Sequence, residues 1–272
     1  MSIAPPLNLL TRNFLDGLPA TRTPGKQLYR QPDGGVLGDW AGLALGSAFQ
    51  PIVRADSGEL FGREAFLRSG VGEEQGLSPW TLFSANTDDD RLIALDRLAR
   101  TVHLLNALVG GHEGRLFLNV NGRLLAAVSD DHGRAFRRVV DALGLLPEQI
   151  VIETPVEASQ QPDLLAFVLR NYRNNGFQVA VNVDSVAQWQ AVSRTLWTQY
   201  VKVDYRQLAA TPGGAAAQLT RLEGLRDEAA LVLTHVEQAV PELRGENLLL
   251  QGHAFGHPVR LSPLPALVAA HS

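Results

Sequence analysis

From Arg115 onward the sequence alternates between two periods, and this alternation restricts the fold more than any other feature. "RLFLNV", "QIVIET", "FQVAVNV", "YVKVD", "ALVLTHV" and "LLLQGHAF" are short runs dominated by Val, Ile and Leu. Runs that are apolar at nearly every position suit parallel strands covered on both faces. Between them lie stripes at helical spacing. Phe136, Val139, Val140 and Leu143 form one stripe, and Leu164, Leu165, Val168, Leu169 and Tyr172 the next. "SVAQWQAVSRTLW" is the third, and Leu219, Leu222 and Leu225 mark the fourth. Repeated βα units predict an α/β protein built as a (β/α)8 TIM-like barrel. An open doubly wound sheet is the alternative, but no Gly-rich phosphate loop follows any strand.

Upstream, "SAFQPIV" reads as a strand, and "SGE" turns it into a second one, "LFGREAFLR". Ser78 and Pro79 stand where an N-cap and first helical residue belong. Leu92, Leu95, Leu98, Val102 and Leu105 continue at helical spacing. Residues 1–45 are rich in Pro and Gly and keep no period, so they read as an irregular N-terminal arm or cap with a short strand near Leu43. The barrel domain is assigned to 46–265.

A net charge of −4 gives no electrostatic basis for general nucleic-acid binding. The absence of cysteine excludes disulfides and thiolate metal sites. No run is long and apolar enough to span a bilayer, and the first residues lack the pattern of a secretory signal, so a cytoplasmic protein is expected.

The polar residues fall at strand ends. Asn119 ends "LFLN", Glu153 ends "IVIE", Asn182 ends "VAVN", Lys202 lies in "YVKVD", Thr234 and His235 end "LVLTH", and Gln251 ends "LLLQ". The C-terminal rim of a βα barrel is its active-site face. Singly, each has an ordinary explanation, since a strand often ends polar as the chain reaches solvent. Glu64 and Arg68, four residues apart, read alone as a structural ion pair, and Lys202 could pair with Asp204 at the rim. Jointly, a carboxylate, amides, a lysine and a glutamine converge on one mouth.

In this order the motifs resemble the EAL-domain family, cyclic di-GMP phosphodiesterases of the βα-barrel type. "FQPIV" resembles the family's opening strand, and "EAFLR" its Glu-Ala-Leu-Leu-Arg signature with Phe66 in place of leucine. "LFLNVNGRLL", "IVIETPVE", "YVKVD" and "LLLQGHAFGHP" resemble its later motifs, over roughly residues 45–260. The resemblance implies that Glu64, Asn119 and Glu153 correspond to ligands of a first metal and Lys202 to the lysine that orients or activates the attacking water. Gln50, Phe66, Arg68 and Gln251 become the candidate nucleotide-binding residues.

The departures from the pattern matter as much. Where the family has an Asp-Asp pair, this chain has Asn182-Val183, and the glutamate of Glu-Gly-Val-Glu is Thr234 in "THVE". The glutamate that braces the neighbouring loop is Val156. Asn182 can coordinate only weakly, and Lys202 becomes vestigial. No cofactor is required, and magnesium or manganese would bind only weakly. Asp184, His235 or His253 could restore a ligand. The resemblance thus implies a degenerate bacterial signalling domain of the kind linked to biofilm control. It is expected to be inactive and to bind cyclic di-GMP as an effector. The alternatives are a protein-interaction module that binds no nucleotide and a weakly active phosphodiesterase. A protein partner is expected without an identity, homodimerisation is left open, and no membrane contact is expected.

Overall fold

A ten-stranded sheet closes on itself in the computed structural model, which describes residues 7–70, 76–86, 88–127, 132–214, 217, 220 and 229–264. The elements run in chain order as α1 (Leu9–Asp16), β1 (Leu28–Arg30), β2 (Val36–Trp40), β3 (Leu43–Arg54) and β4 (Leu60–Ser69). There follow α2 (Pro79–Ser84), α3 (Asp89–Val109), β5 (Arg115–Asn119), α4 (Gly122–Ala127), α5 (His132–Ala142), β6 (Ile150–Thr154) and α6 (Pro162–Asn174). The last are β7 (Gln178–Val183), α7 (Val186–Val192), β8 (Tyr200–Asp204), α8 (Tyr205–Ala210), β9 (Ala230–Thr234) and β10 (Leu248–Gln251). Strands β3 to β10 form the closed ring, with β3 antiparallel to both its neighbours, β4 and β10, and the other pairs parallel. This is the barrel expected from the alternating periods, entered by an extended first strand. The helical stripe at Leu219, Leu222 and Leu225 lies outside the described residues.

The barrel interior explains where the polar residues go. Phe117, Val151, Ala180, Tyr200, Val232 and Leu249 form one buried cluster with Ile52. Side chains repeat every second residue along a strand. Two positions further toward the C-terminal rim therefore lie Asn119, Glu153, Asn182, Lys202, Thr234 and Gln251, on the same inward face. On antiparallel β3 the step runs the other way, from Ile52 to Gln50, which stands opposite Glu64 on β4.

The cap at Ser78 and the helical stripe from Leu92 to Leu105 are both present, on two successive helices: Ser78 caps the short α2 with Pro79 in its first turn, and Asp88 caps α3 by accepting from the Arg91 N–H at 2.9 Å. Asp89 and Asp90 in its first turn suit the positive end of the helix dipole. The segment before Leu43 is also built up, carrying α1 and the β1–β2 hairpin. The Asn8 side chain caps α1, and Asn8 and Thr11 both donate to the Leu143 carbonyl, which ties the helix to the end of α5. Asn106 of α3 clamps β2 by exchanging two hydrogen bonds with the backbone of Val36, at 3.0 and 2.8 Å. Among the described residues no helix is long and apolar enough to cross a membrane.

Candidate functional site

The strand ends deliver a buried ion triad. The Lys202 Nζ donates to Glu64 Oε2 at 2.6 Å and to Glu153 Oε2 at 2.7 Å. Each carboxylate has a further amide donor on its other oxygen: Asn119 Nδ2 on Glu64 Oε1 and Asn182 Nδ2 on Glu153 Oε1, both at 2.8 Å. Gln251 Nε2 adds a third donor to Glu64 at 2.8 Å and reaches Gln50 Oε1 at 3.3 Å, while Gln50 Nε2 donates to the Gly256 carbonyl. Glu64, Glu153 and Lys202 are buried, so their pairing answers the strong cost of isolated charge in the interior. The Gln251 Oε1 is buried with no hydrogen-bond partner among the described residues.

The triad forms the floor of a cleft of ≈ 690 Å³ whose rim includes Phe66, Arg68, Arg206, His253 and Pro258. Gly252 lets the end of β10 reach this floor. A Cβ there would lie 2.1 Å from the Val236 carbonyl oxygen, so no other residue fits the close backbone approach.

The charges are unequal in their response to burial. Burial pushes the Glu153 carboxyl up and the charge on Glu64 adds to this, so that despite Lys202 and Asn182 it is raised to about 7. Glu64 is also penalised by burial, but Lys202, Asn119 and Gln251 outweigh this and hold it below the usual carboxylate value. Burial alone would lower the Lys202 ammonium, and the two carboxylates instead keep it above its ordinary value. A carboxyl raised from 4.5 to about 7 binds its proton more tightly in the folded protein. Its contribution to stability is therefore full below 4.5 and is lost as pH rises through about 7. Glu64 acts in the opposite sense, in a window below 4.5. In Glu153→Gln the decline between pH 4.5 and 7 should vanish, as read from urea midpoints across that range. Parallel pH profiles of the two proteins would contradict the assignment.

The two ordinary pairings expected from the sequence do not form. Glu64 pairs with Lys202, not Arg68, whose Nη1 donates to the Leu67 carbonyl and whose guanidinium lies 5.9 Å from the Phe66 ring centroid. Lys202 does not reach Asp204, which instead pairs with Arg206 at 2.7 Å and with His235 at 3.3 Å. Asn119 sits in the constellation through its bond to Glu64, although much of its side chain faces an adjoining groove with Pro155.

Thr234 turns its hydroxyl to the Val203 carbonyl at 3.3 Å, and Val183 is buried in the apolar core. Asp184 is exposed and does not line the cleft. His253 pairs with Glu237 at 2.6 Å and its ring stacks on His257. His235 has φ 57° at the position where the EAL pattern of the sequence has glycine, a backbone form that suits glycine better. Arg206, Glu237 and Pro258 were not singled out from sequence. Arg206 and Glu237 follow strand ends closely enough to have been candidates, whereas Pro258 reaches the rim through an irregular segment.

The family model described as "EAL domain" matches residues 43–224, two-thirds of the chain. The chain belongs to the EAL-domain family. The barrel runs past that match, since β9 and β10 complete the ring. Among solved EAL-type structures, Klebsiella pneumoniae BlrP1 in a manganese and cyclic di-GMP complex superposes with a TM-score of 0.65 at 20% identity. The superposition covers 88% of this chain and 58% of BlrP1, so the chain spans less than two-thirds of that protein. A standalone versatile EAL protein from Vibrio cholerae O395, in its cyclic di-GMP-bound form, gives a TM-score of 0.62 at 22% identity, covering 82% of this chain and 97% of the other. At such identities these likenesses establish the fold. No curated protein matches the chain.

Proposed function

We propose that this EAL protein is catalytically inactive and acts in the cytoplasm as a cyclic di-GMP-binding effector that needs no metal and signals to a protein partner. The observation that carries this is the donor set around Lys202. Hydrolysis by two cations requires both to be held close together by anionic oxygen ligands. Here the two carboxylates share one ammonium, at 2.6 and 2.7 Å. The other donors are neutral amides, and Asn182 Nδ2 is engaged by Glu153 and by the Thr154 carbonyl. Among the described residues no three His, Asp or Glu side chains group as a metal site. These residues do not fit a two-cation centre. Lys202, held by two carboxylates, stays protonated and is no general base.

What remains suits an anionic dinucleotide. The exposed guanidinium of Arg68 has no carboxylate partner among the described residues and can give a phosphate two parallel hydrogen bonds. Phe66 offers a ring face to a base. Gln251 Oε1 is an unfilled acceptor for a ligand N–H or O–H. The cyclic di-GMP held by the BlrP1 and Vibrio cholerae structures supports the choice of ligand. The test is chromatography of cyclic di-GMP incubated with the protein and magnesium or manganese. No linear dinucleotide above the buffer control is expected. Linear product that accumulates with the wild type and disappears in Glu64→Ala would show a working phosphodiesterase.

A further inference from the structure

The end of the barrel opposite the cleft holds a second cavity, of ≈ 340 Å³. Strands β4, β8, β9 and β10 begin there, and the antiparallel β3 ends there at Arg54. Reaction sites of βα barrels lie at the other end, so this cavity is separate from the Lys202 triad. Its volume is about half the ≈ 690 Å³ of the cleft and near the lower bound of ligand pockets. That is room for one ring system with a short substituent, not for a dinucleotide.

The floor is apolar. The Tyr200 ring stands edge-on to Phe61 at 5.8 Å, and Ala230, Leu248 and Leu249 complete the surface. Trp197, 47% exposed, forms a wall. The rim is cationic. Arg54 lies 5.0 Å from the Phe61 ring centroid and Arg173 lies 4.2 Å from that of Trp197. Arg54 is in register with the inward-facing Leu249, and Arg115 stands two residues before the inward-facing Phe117. Burial holds the Tyr200 phenol above its ordinary value, against a hydrogen bond from Arg115 and the charge of Arg54, so both guanidinium groups lie near it. None of the three arginines pairs with a carboxylate among the described residues; their partners are aromatic rings and a phenol. The acid in the lining, Asp56, accepts from the Ser57 N–H at 2.7 Å. Gln199 accepts from the Val179 N–H at 2.9 Å through Oε1, which leaves its amide hydrogens as further donors. A guanidinium fork matches the two oxygens of a carboxylate or a phosphate. A small inorganic anion would leave the apolar floor wet, and a neutral ring would leave the guanidinium groups without an anion.

We propose that this cavity binds an aromatic anion, one ring system carrying a carboxylate or a phosphate, with the ring on the floor beside Trp197 and the oxyanion on Arg54 and Gln199. The inference does not depend on what the cleft binds. Trp197 reports on the site through its indole N–H, one of four tryptophan signals in the NMR spectrum of an isotope-labelled sample, identified by its loss in Trp197→Phe. Naphthoate and naphthyl phosphate serve as the anionic probes and naphthylmethanol as the neutral one. Both anions should shift the Trp197 signal saturably, with the neutral probe about tenfold weaker or more, the range for a hydrogen bond to a charged group. The tighter of the two anions identifies the oxyanion that the site prefers. Arg54→Gln, at an exposed position, should keep the wild-type melting temperature and weaken both anions by a similar factor. Arg68→Ala should leave both affinities unchanged, because Arg68 lines the cleft at the other end. No saturable Trp197 shift at millimolar anion, equal binding of the neutral probe, or full affinity in Arg54→Gln overturns the site. Loss of binding in Arg68→Ala would put the probes in the cleft and overturns it as well.

Discussion

Replacing Lys202 by methionine is expected to destabilise the protein by about 3–5 kcal/mol at pH 7.5, the cost of leaving a buried charge without its partner. The residue is 2% exposed and its Nζ lies within 2.7 Å of both carboxylates. Methionine fills much the same space, so the loss is electrostatic and not a cavity. Two acids would then face each other with only amide donors between them. In a domain of this size each kcal/mol moves the melting temperature by about 2–4 °C, so a fall of roughly 10 °C is the readout. Part of the loss should return as pH falls, because burial and the charge on Glu64 already raise the Glu153 carboxyl and removing Lys202 raises it further. Adding Glu153→Gln to the methionine variant should likewise recover much of it. A loss below about 1 kcal/mol, typical of exposed pairs, would mean that water screens the triad.

The second large effect concerns binding. Arg68→Ala is expected to weaken cyclic di-GMP by about 1.5–3 kcal/mol, the range for a hydrogen bond to a charged group. Stability should change by less than about 0.5 kcal/mol, because the side chain is exposed and pairs with no carboxylate among the described residues. Arg68→Lys should recover only part of the affinity, since an ammonium keeps the charge but loses the planar fork. Unchanged affinity in Arg68→Ala, measured by titration against the same nucleotide stock, would remove Arg68 from the site.

The barrel was legible because each strand is short, branched and apolar on both faces, and because a polar residue repeatedly breaks that run near its end. The two-residue period then carries Tyr200 to Lys202 and Phe117 to Asn119 on one inward face. What this pattern does not encode is which charges meet. Glu64 and Arg68 are close in sequence, yet the Glu64 partner lies 138 positions away on β8. The arm was equally hard to read. β1 and β2 have three and five residues, and they persist through pairing with β3 and the Asn106 clamp, not through local propensity. Gly and Pro flank both strands and hide any period. The start of α3 at Asp88 is encoded in its cap and its acidic first turn, Asp89 and Asp90.

Under the proposed function the cleft exchanges metal-dependent chemistry for metal-independent binding. Calorimetric titration of the wild-type protein with cyclic di-GMP, once in EDTA and once in excess magnesium, tests it directly. The expected result is one binding isotherm of about the same affinity in both buffers, on the order of micromolar or about −8 kcal/mol. Binding seen only with magnesium, or no heat and no shift in melting temperature at millimolar nucleotide, would contradict it.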